Sequence, residues 1–229
     1  MAGFDLIIFD CDGVLVDSEI IAAQVESRLL TDAGYPISAE ELAERFAGLT
    51  WKDILFEVER EASIPFSATL LDASEALLDK KLGKEVLAID GAAQAIARIP
   101  GPRCICSNSS SHRLKAMLVH TGLDRLFGDR VYSAKDVGEG RTKPAPDVFL
   151  HGARQFDAKP ANVLVIEDSV HGIHAANAAG MRVVGFTGGS HSYPGHADKL
   201  TEAGAETVVS RMADLPATIE ALAGWSELL

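Results

Sequence analysis

The feature that most constrains this chain is a short apolar run followed at once by two carboxylates. Leu6–Phe9 carries no polar residue and is typical of a strand buried on both faces of a parallel sheet. Asp10 and Asp12 follow it one residue apart, before Gly13. Two such carboxylates share a face and need a partner. A hard divalent cation such as Mg²⁺ is one partner, and a polar turn at the strand end is the alternative explanation.

Composition limits the classes of protein to which the chain can belong. Its 229 residues, 47% of them apolar, suffice for one large α/β domain or for a core with a smaller insertion. The formal net charge of -12 argues against nucleic acid or an anionic membrane as a partner. The three cysteines show no metal-binding spacing and are expected to be reduced core thiols. With an early first strand and no long apolar run, we expect a cytoplasmic protein without a signal peptide.

Residues 17–88 are predicted to be almost entirely helical, without a strand candidate. Ser18 precedes the first periodic segment as a candidate cap, and Ser38 with Glu41 forms a capping box before the second. The last helix of this block is predicted to span Ala68–Leu82 and to end at Gly83. This block therefore predicts an all-helical domain at 17–88, inserted after the first strand.

From Asp90 onward, short apolar runs alternate with helical segments. The predicted strands after the first span residues 103–106, 130–133, 163–166, 183–186 and 207–209. Alternation of this kind predicts an α/β core with a doubly wound, mainly parallel sheet, formed by residues 1–16 and 89–229. Ligands of such sheets bind beyond the carboxyl ends of the strands.

Polar residues that could take part in a reaction lie at those strand ends. Ser107-Asn108-Ser109 follows the second core strand, Glu167-Asp168 follows a later one, and Lys143-Pro144 lies between them. Singly they have ordinary explanations, as helix caps or as a solvated lysine. Together they form a set suited to phosphoryl transfer, because a lysine and a metal ion offset the repulsion between carboxylates and a phosphate.

The residue types suggest a role for each member. Asp10 is the candidate nucleophile, and Asp12 the candidate general acid and base. Lys143 supplies positive charge. Ser107, Asn108 and Ser109 are the predicted phosphate-binding residues. Asp10, Glu167 and Asp168 are predicted to hold Mg²⁺. His191 and His196, in a glycine-rich loop, are assigned to no metal, because two histidines in a loop without acids nearby rarely suffice.

Four segments resemble the ordered motifs of the haloacid dehalogenase (HAD) superfamily. Asp10–Leu15 resembles its DxDGxL signature, Ser107-Asn108 its second motif, Lys143-Pro144 its third and Glu167–Ser169 its fourth. The resemblance implies a Rossmann-like core with a helical cap. It further implies that the backbone carbonyl of Asp12 is a Mg²⁺ ligand. Hinges for the cap are implied at 16–17 and 87–91.

Within that family, the chain looks closest to sugar-phosphate phosphatases and β-phosphoglucomutases. The presence of Asp12 argues against a dehalogenase. The mutases carry a histidine where this chain has Ala22, and a lysine and an arginine where it has Ala47 and Trp51. Arg45 and Lys52, close by in the same cap segment, are the candidate substrate-binding cations that compensate.

Three functions follow from this pattern. The leading hypothesis is a Mg²⁺-dependent phosphatase that acts on a small phosphorylated metabolite, a sugar phosphate or a sugar-acid phosphate such as 6-phosphogluconate, through an aspartyl-phosphate. The alternative is a β-phosphoglucomutase-like phosphosugar mutase. The third is a non-catalytic phospho-aspartate regulatory module, against which Asp12 and the helical insertion both speak. The oligomeric state is left open, with a monomer as the working expectation.

Overall fold

The structure, a computed structural model, describes residues 3–46, 49–62 and 68–225. In these residues, six strands form one sheet in the order β3-β2-β1-β4-β5-β6, and every neighbouring pair is parallel. The strands are β1 (Leu6–Phe9), β2 (Arg103–Ser107), β3 (Val131–Ser133), β4 (Val163–Glu167), β5 (Arg182–Phe186) and β6 (Thr207–Val209). The predicted α/β fold class with a mainly parallel sheet is therefore confirmed.

Twelve α-helices accompany the sheet in the described ranges. They are α1 (Glu19–Asp32), α2 (Ala39–Arg45), α3 (Trp51–Ala62), α4 (Ala68–Glu85), α5 (Ala92–Arg98), α6 (Ser111–Thr121), α7 (Asp124–Phe127), α8 (Ala134–Val137), α9 (Asp147–Gln155), α10 (Val170–Ala178), α11 (His196–Glu202) and α12 (Leu215–Trp225). None of these helices combines the length and apolarity that crossing a bilayer requires.

The sheet is covered on both faces, which is why its central strands are continuously apolar. Along β1, Ile7 and Phe9 belong to one hydrophobic cluster, and Leu6 and Ile8 belong to the other. Alternate residues of a strand point to opposite faces. β1 therefore contributes to two cores and lies at the centre, where the strand order reverses and where sheets of this type bind their ligands.

The helices α1–α4 lie between β1 and α5 in the chain and form a small core of their own. Its buried members are Leu30, Ile37, Leu42, Phe46, Ile54, Leu55 and Val58. Helices α1 and α4 also contribute Val25 and Leu82 to the larger cluster below. The domain division at 17–88 remains a prediction, and this separate cluster is the observation that accords with it.

The two connections between these helices and the sheet run side by side. The N–H of Asp17 donates to the carbonyl of Leu87 (2.9 Å), and the N–H of Ile89 donates to the carbonyl of Leu15 (2.9 Å). Val16 and Ala88 form an antiparallel bridge between them. The segments implied to be hinges are thus hydrogen-bonded to each other.

The prediction that the last cap helix ends at Gly83 is wrong, because α4 continues to Glu85. A Cβ placed on Gly83 would lie 3.2 Å from the Cβ of Ala116 in α6. The glycine is explained by the close packing of α4 on α6 and not by a helix end. Helix α5, which the sequence analysis did not predict, begins directly after Gly91.

A similar close approach generates a stability prediction at Gly152 in α9. A Cβ there would lie 2.8 Å from the Sγ of Cys106 and 3.5 Å from the Sγ of Cys104, so α9 packs directly on β2. We expect Gly152→Ala to lower the free energy of unfolding by about 1–3 kcal/mol through overpacking. Urea unfolding measures this change.

The matched control is Gly224→Ala in α12. Gly224 is also helical, but nothing lies within 4 Å of the added methyl group. Alanine should there raise stability by up to about 1 kcal/mol, through helix propensity. Equal effects of the two substitutions would contradict the packing explanation.

Candidate active site

The polar residues singled out from the sequence converge at the carboxyl ends of β1, β2 and β4. Asp10 follows β1, Ser107 ends β2, Glu167 ends β4, and Asp168 follows it. Lys143, on the segment before α9, reaches into the same place. Asp10, Ser107, Lys143, Glu167 and Asp168 are all buried. Four chain segments thus bring their functional groups to a single site, three of them because parallel strands end at the same edge of the sheet.

Lys143 is the central cation of this site. Its Nζ donates to Oδ1 of Asp10 (2.5 Å), to Oε1 of Glu167 (2.6 Å) and to the carbonyl of Cys106 (2.8 Å). Burial acts to lower the pKa of Lys143, but the two carboxylates outweigh burial and leave the pKa raised. Its backbone N–H donates to Oδ1 of Asn108 (2.8 Å). Asn108 therefore fixes the lysine segment in position.

The carboxyl group of Asp10 is destabilised in its charged form. Burial raises its pKa well above the ordinary value, and the nearby charges of Glu167, Asp168 and Asp12 raise it further, against the opposing effect of Lys143. A single lysine thus does not compensate the carboxylates of the site.

The donor set fits a hard divalent cation. One carboxylate oxygen from each of Asp10, Glu167 and Asp168 lies within 4.8 Å of the others. Oxygen donors with an excess of negative charge are those that Mg²⁺ takes in proteins.

Glu167 is the most constrained carboxylate of the set. Its Oε2 accepts hydrogen bonds from the N–H of Asp168, the N–H of Ser169 and the hydroxyl of Ser169, each at 3.0 Å, while Oε1 accepts from Lys143. The hydroxyl of Ser169 also caps α10 by accepting from the N–H of Gly172. Both oxygens are engaged, so Glu167 fixes the lysine and the turn that carries Asp168.

Asp12 is held by three hydroxyl groups. Ser18 donates to its Oδ1 (2.8 Å), while Ser107 (3.1 Å) and Ser109 (2.8 Å) donate to its Oδ2. Ser18 stands at the N-terminus of α1, but its hydroxyl makes no capping bond there, contrary to the prediction. Ser18 is thus a site residue that the sequence analysis missed. Its position before an apolar helix indicated only a helix cap.

The capping explanation for Ser107-Asn108-Ser109 does not hold. The residue whose side chain caps α6 is Ser110, which accepts from the N–H of Arg113. The hydroxyls of Ser107 and Ser109 are thereby free to bind Asp12.

The expectation that His191 and His196 have no acid near them is wrong in three dimensions. Nε2 of His191 lies 3.0 Å from Oδ2 of Asp168, and Nε2 of His196 lies 2.8 Å from the backbone oxygen of Asp168. Burial acts to lower the pKa of His191, but Asp168 outweighs it and the pKa is raised. Both histidines follow β5, and Asp168 follows β4. The histidines lie close to Asp168 because these two strands are neighbours in the sheet.

Gly13 is required by the packing of this corner. Its φ is +74°, and a Cβ there would lie 1.9 Å from Oδ2 of Asp168 and 2.8 Å from Cε1 of His191. Ser190 meanwhile donates through its N–H (3.2 Å) and its hydroxyl (2.7 Å) to Oδ1 of Asp17. The loop after β5 therefore contacts both the carboxylate of Asp168 and Asp17, just before α1.

The site opens into a cleft of about 580 Å³ between the sheet edge and the helices α1–α4. Two ion pairs join α4 to the core beside it: Arg113 Nε with Asp79 Oδ1 (2.7 Å), and Lys135 Nζ with Glu75 Oε1 (2.7 Å). A volume of this size suits a small organic ligand.

The candidate cap cations lie elsewhere. Arg45 pairs with Glu41 (3.2 Å) and Glu61 (2.8 Å) and is not among the described residues that line the cleft. Lys52 lines an adjoining pocket, with its Nζ over the ring of Phe56. Residue 47 lies outside the described residues. The i,i+4 spacing of Glu41 and Arg45 on α2 explains why this arginine pairs within the cap.

A family model of the haloacid dehalogenase-like hydrolases matches residues 4–180. The chain belongs to this family. The 6-phosphogluconate phosphatase of Escherichia coli is 28% identical over 195 residues, covering 85% of this chain and 87% of the relative. The fructose-1-phosphate phosphatase of the same organism is 29% identical over 181 residues, covering 78% and 94%. These matches confirm the predicted family and the prediction that the protein is a hydrolase of phosphoric monoesters.

Solved structures agree with this assignment. A haloacid dehalogenase-like protein of unknown function from Agrobacterium tumefaciens is 70% identical, with a TM-score of 0.90 over 96% of this chain and all of that one. A HAD family hydrolase from Deinococcus radiodurans, with bound phosphate and sodium, is 36% identical, with a TM-score of 0.80 over 98% of each chain. A putative β-phosphoglucomutase from Thermotoga maritima is 22% identical, with a TM-score of 0.72 over 95% of this chain and 99% of that one, and shows the shared fold.

The contacts of Lys143 generate a prediction about stability and pH. We expect Lys143→Met to cost about 3 kcal/mol at pH 8, because it leaves Asp10 and Glu167 buried without their cation. Because the pKa of Asp10 is raised, lowering the pH to 5 protonates more of this carboxylate, which relieves the repulsion and should shrink the loss. Urea unfolding of both proteins at the two pH values tests this; equal losses would show that charge is not the cause.

Proposed function

We propose that this protein is a Mg²⁺-dependent phosphatase that hydrolyses a small phosphorylated carbohydrate through an aspartyl-phosphate on Asp10. The observation that carries the proposal is the pairing of buried Asp10 with Lys143 beside Glu167 and Asp168, below an open cleft. Sugar phosphates and sugar-acid phosphates such as 6-phosphogluconate are both candidate substrates. The names of the two Escherichia coli phosphatases support this class.

In the first step, a carboxylate oxygen of Asp10 attacks the phosphorus and the bond from phosphorus to the leaving oxygen breaks. Asp12 gives its proton to that oxygen, so that a neutral alcohol departs. Lys143 offsets the negative charge that gathers between the carboxylate and the phosphoryl group. Ser107, Asn108 and Ser109 border the same space and are proposed to bind the phosphoryl oxygens.

In the second step, Asp12 takes a proton from a water molecule, which attacks the phosphorus and releases inorganic phosphate and free Asp10. The hydroxyl of Ser18, which is not in the proposed phosphate set, holds the Asp12 carboxylate for both proton transfers. Asp10, Glu167, Asp168 and, by the family resemblance, the backbone carbonyl of Asp12 would hold Mg²⁺. The bound ion supplies Lewis-acid charge neutralisation between carboxylate and phosphate.

The phosphosugar mutase has less support. Ala22 lines the cleft where the mutases carry a histidine, and Arg45 is engaged by Glu41 and Glu61. A regulatory phospho-aspartate module fits neither the hydrolase family nor the general acid proposed at Asp12. The net charge of -12 supports the absence of nucleic-acid and anionic-membrane partners. A cytoplasmic monomer remains our working proposal.

We expect the purified protein to hydrolyse p-nitrophenyl phosphate, and Asp10→Asn to lower kcat by about 10³-fold or more, because an amide is a poor nucleophile. Phosphate release measures this. Asp5→Asn, at the opposite end of β1, is the matched control and should retain the full rate. Chelation by EDTA should stop turnover, and added Mg²⁺ should restore it. Unchanged activity of Asp10→Asn would refute the mechanism.

Asp12→Asn should separate the two steps. The p-nitrophenolate leaving group departs without a proton, so Asp10 is still phosphorylated, whereas the second step lacks its base. We therefore expect a burst of p-nitrophenol followed by an accumulated phosphoprotein, detected by intact-mass spectrometry. With a hexose 1-phosphate and wild-type protein, free phosphate is the expected product; a hexose 6-phosphate as the main product would instead favour the mutase.

A further inference from the structure

The β5 loop, residues 187–195 between β5 and α11, folds back onto the edge of the sheet that carries the site. Gly189 permits this close approach, because a Cβ there would lie 2.7 Å from Nδ1 of His191 and 3.0 Å from the carbonyl oxygen of Gly13. Both His191 and His196, the residue directly after the loop, line the cleft. The β5 loop is therefore part of the wall of the site, although the proposed phosphoryl and proton transfers use none of its residues.

The imidazole of His191 is directed at the carboxylate of Asp168. Its Nε2 lies 3.0 Å from Oδ2 of Asp168. An ionised carboxylate only accepts, so Nε2 is the nitrogen that carries the proton in this contact. The other nitrogen, Nδ1, is buried and has no hydrogen-bond partner among the described residues. A buried polar atom without a partner is unfavourable, so the contact with Asp168 is what this placement of the ring gains.

His196 fixes the backbone of the same aspartate. Its Nε2 lies 2.8 Å from the carbonyl oxygen of Asp168, and its Nδ1 lies 3.0 Å from Oγ of Ser192. Because the carbonyl only accepts, Nε2 donates to it, and Nδ1 accepts from the hydroxyl of Ser192. The ring of Tyr193 stacks on this buried imidazole, with 4.8 Å between the ring centroids. His196 is therefore held at both nitrogens and on one face, and it ties the start of α11 to the turn after β4.

Asp168 is the member of the acidic cluster that depends most on these histidines. Lys143 holds Asp10 and Glu167, whereas no lysine or arginine of the described residues pairs with the carboxylate of Asp168. Its Oδ2 faces His191, and its Oδ1 accepts from no described residue. A carboxylate that is held through one oxygen presents the other to a metal ion in a fixed direction.

We propose that His191 is a positioning residue that orients the carboxylate of Asp168 for the metal ion, and that His196 anchors the β5 loop for this purpose. This inference rests on the proposed function, because it concerns the Mg²⁺ site of the same reaction. Neither histidine is a metal ligand in this proposal, and each acts through Asp168. Contacts that orient a metal ligand in this way contribute about 10–100-fold to metal affinity.

The test measures metal binding without substrate, with Mn²⁺ as the probe for the Mg²⁺ site and the electron paramagnetic resonance signal of the free ion as the readout. We expect His191→Leu to raise the dissociation constant for Mn²⁺ about 10-fold or more. His191→Gln, which keeps an N–H group near the position of Nε2, should stay within about 3-fold of wild type. His196→Phe keeps a ring against Tyr193 but removes both nitrogens, and should also weaken binding about 10-fold.

Steady-state kinetics supply a second readout, which a merely structural role would not move in this way. In His191→Leu, the Mg²⁺ concentration for half-maximal hydrolysis of p-nitrophenyl phosphate should rise by the same factor as the dissociation constant. At saturating Mg²⁺, kcat should stay within about 3-fold of wild type. His174→Ala, at an exposed histidine of α10, is the matched control and should change neither quantity. Urea unfolding checks that each variant is folded.

Three results would overturn the role of His191: an unchanged dissociation constant in His191→Leu, a lowered one, or a glutamine variant that binds as weakly as the leucine variant. A lowered constant would mean that the histidine competes with the ion for Asp168. An unchanged constant in His196→Phe overturns its role as the anchor. All of these results leave the proposed function standing. Wild-type protein that binds no Mn²⁺ refutes the metal dependence of the proposed function, and this inference with it.

Discussion

The contact on which the rest of this structure depends is the buried ammonium group of Lys143 between Asp10 and Glu167. Carboxylates gathered at one sheet edge repel each other, and burial increases the penalty for each charge. The fold meets this penalty with one lysine, which three neighbours hold: two carboxylates and the carbonyl of Cys106. The negative charge that remains suits a divalent cation, which with Lys143 would offset the repulsion between these carboxylates and a phosphoryl group.

Much of the core was predictable because its signals are local. Buried strands appear as apolar runs, and side chains at the carboxyl ends of parallel strands meet wherever such strands pair. The grouping of Asp10, Ser107 and Asp168 therefore followed from strand assignment. Ser18 and His191 were not predictable in the same way. Their contacts with Asp12 and Asp168 depend on how a helix start and a loop sit over other elements, and such geometry leaves no pattern in the chain.

In the predicted cap, the helices were predictable from the sequence but their contacts were not. Its helices follow from periodicity and capping residues, and Ser38 caps α2 through the N–H of Glu41 as expected. Which side chains of those helices meet the ligand does not follow, because that depends on how the cap sits on the core. Arg45 is a cation in a plausible segment but pairs within the cap, whereas Glu26 faces the cleft. Charge along a sequence says little about which charges remain unpaired.

The paired connections at Val16 and Ala88 have an evolutionary consequence. Because the chain leaves the core and returns to it at a single bridged point, residues between the two connections impose no register on the sheet. The insertion is free to lengthen, shorten or exchange its helices while the strand ends, and the chemistry they hold, stay in place. Related proteins with this arrangement can therefore change their substrate specificity through these helices while they keep the residues at the strand ends.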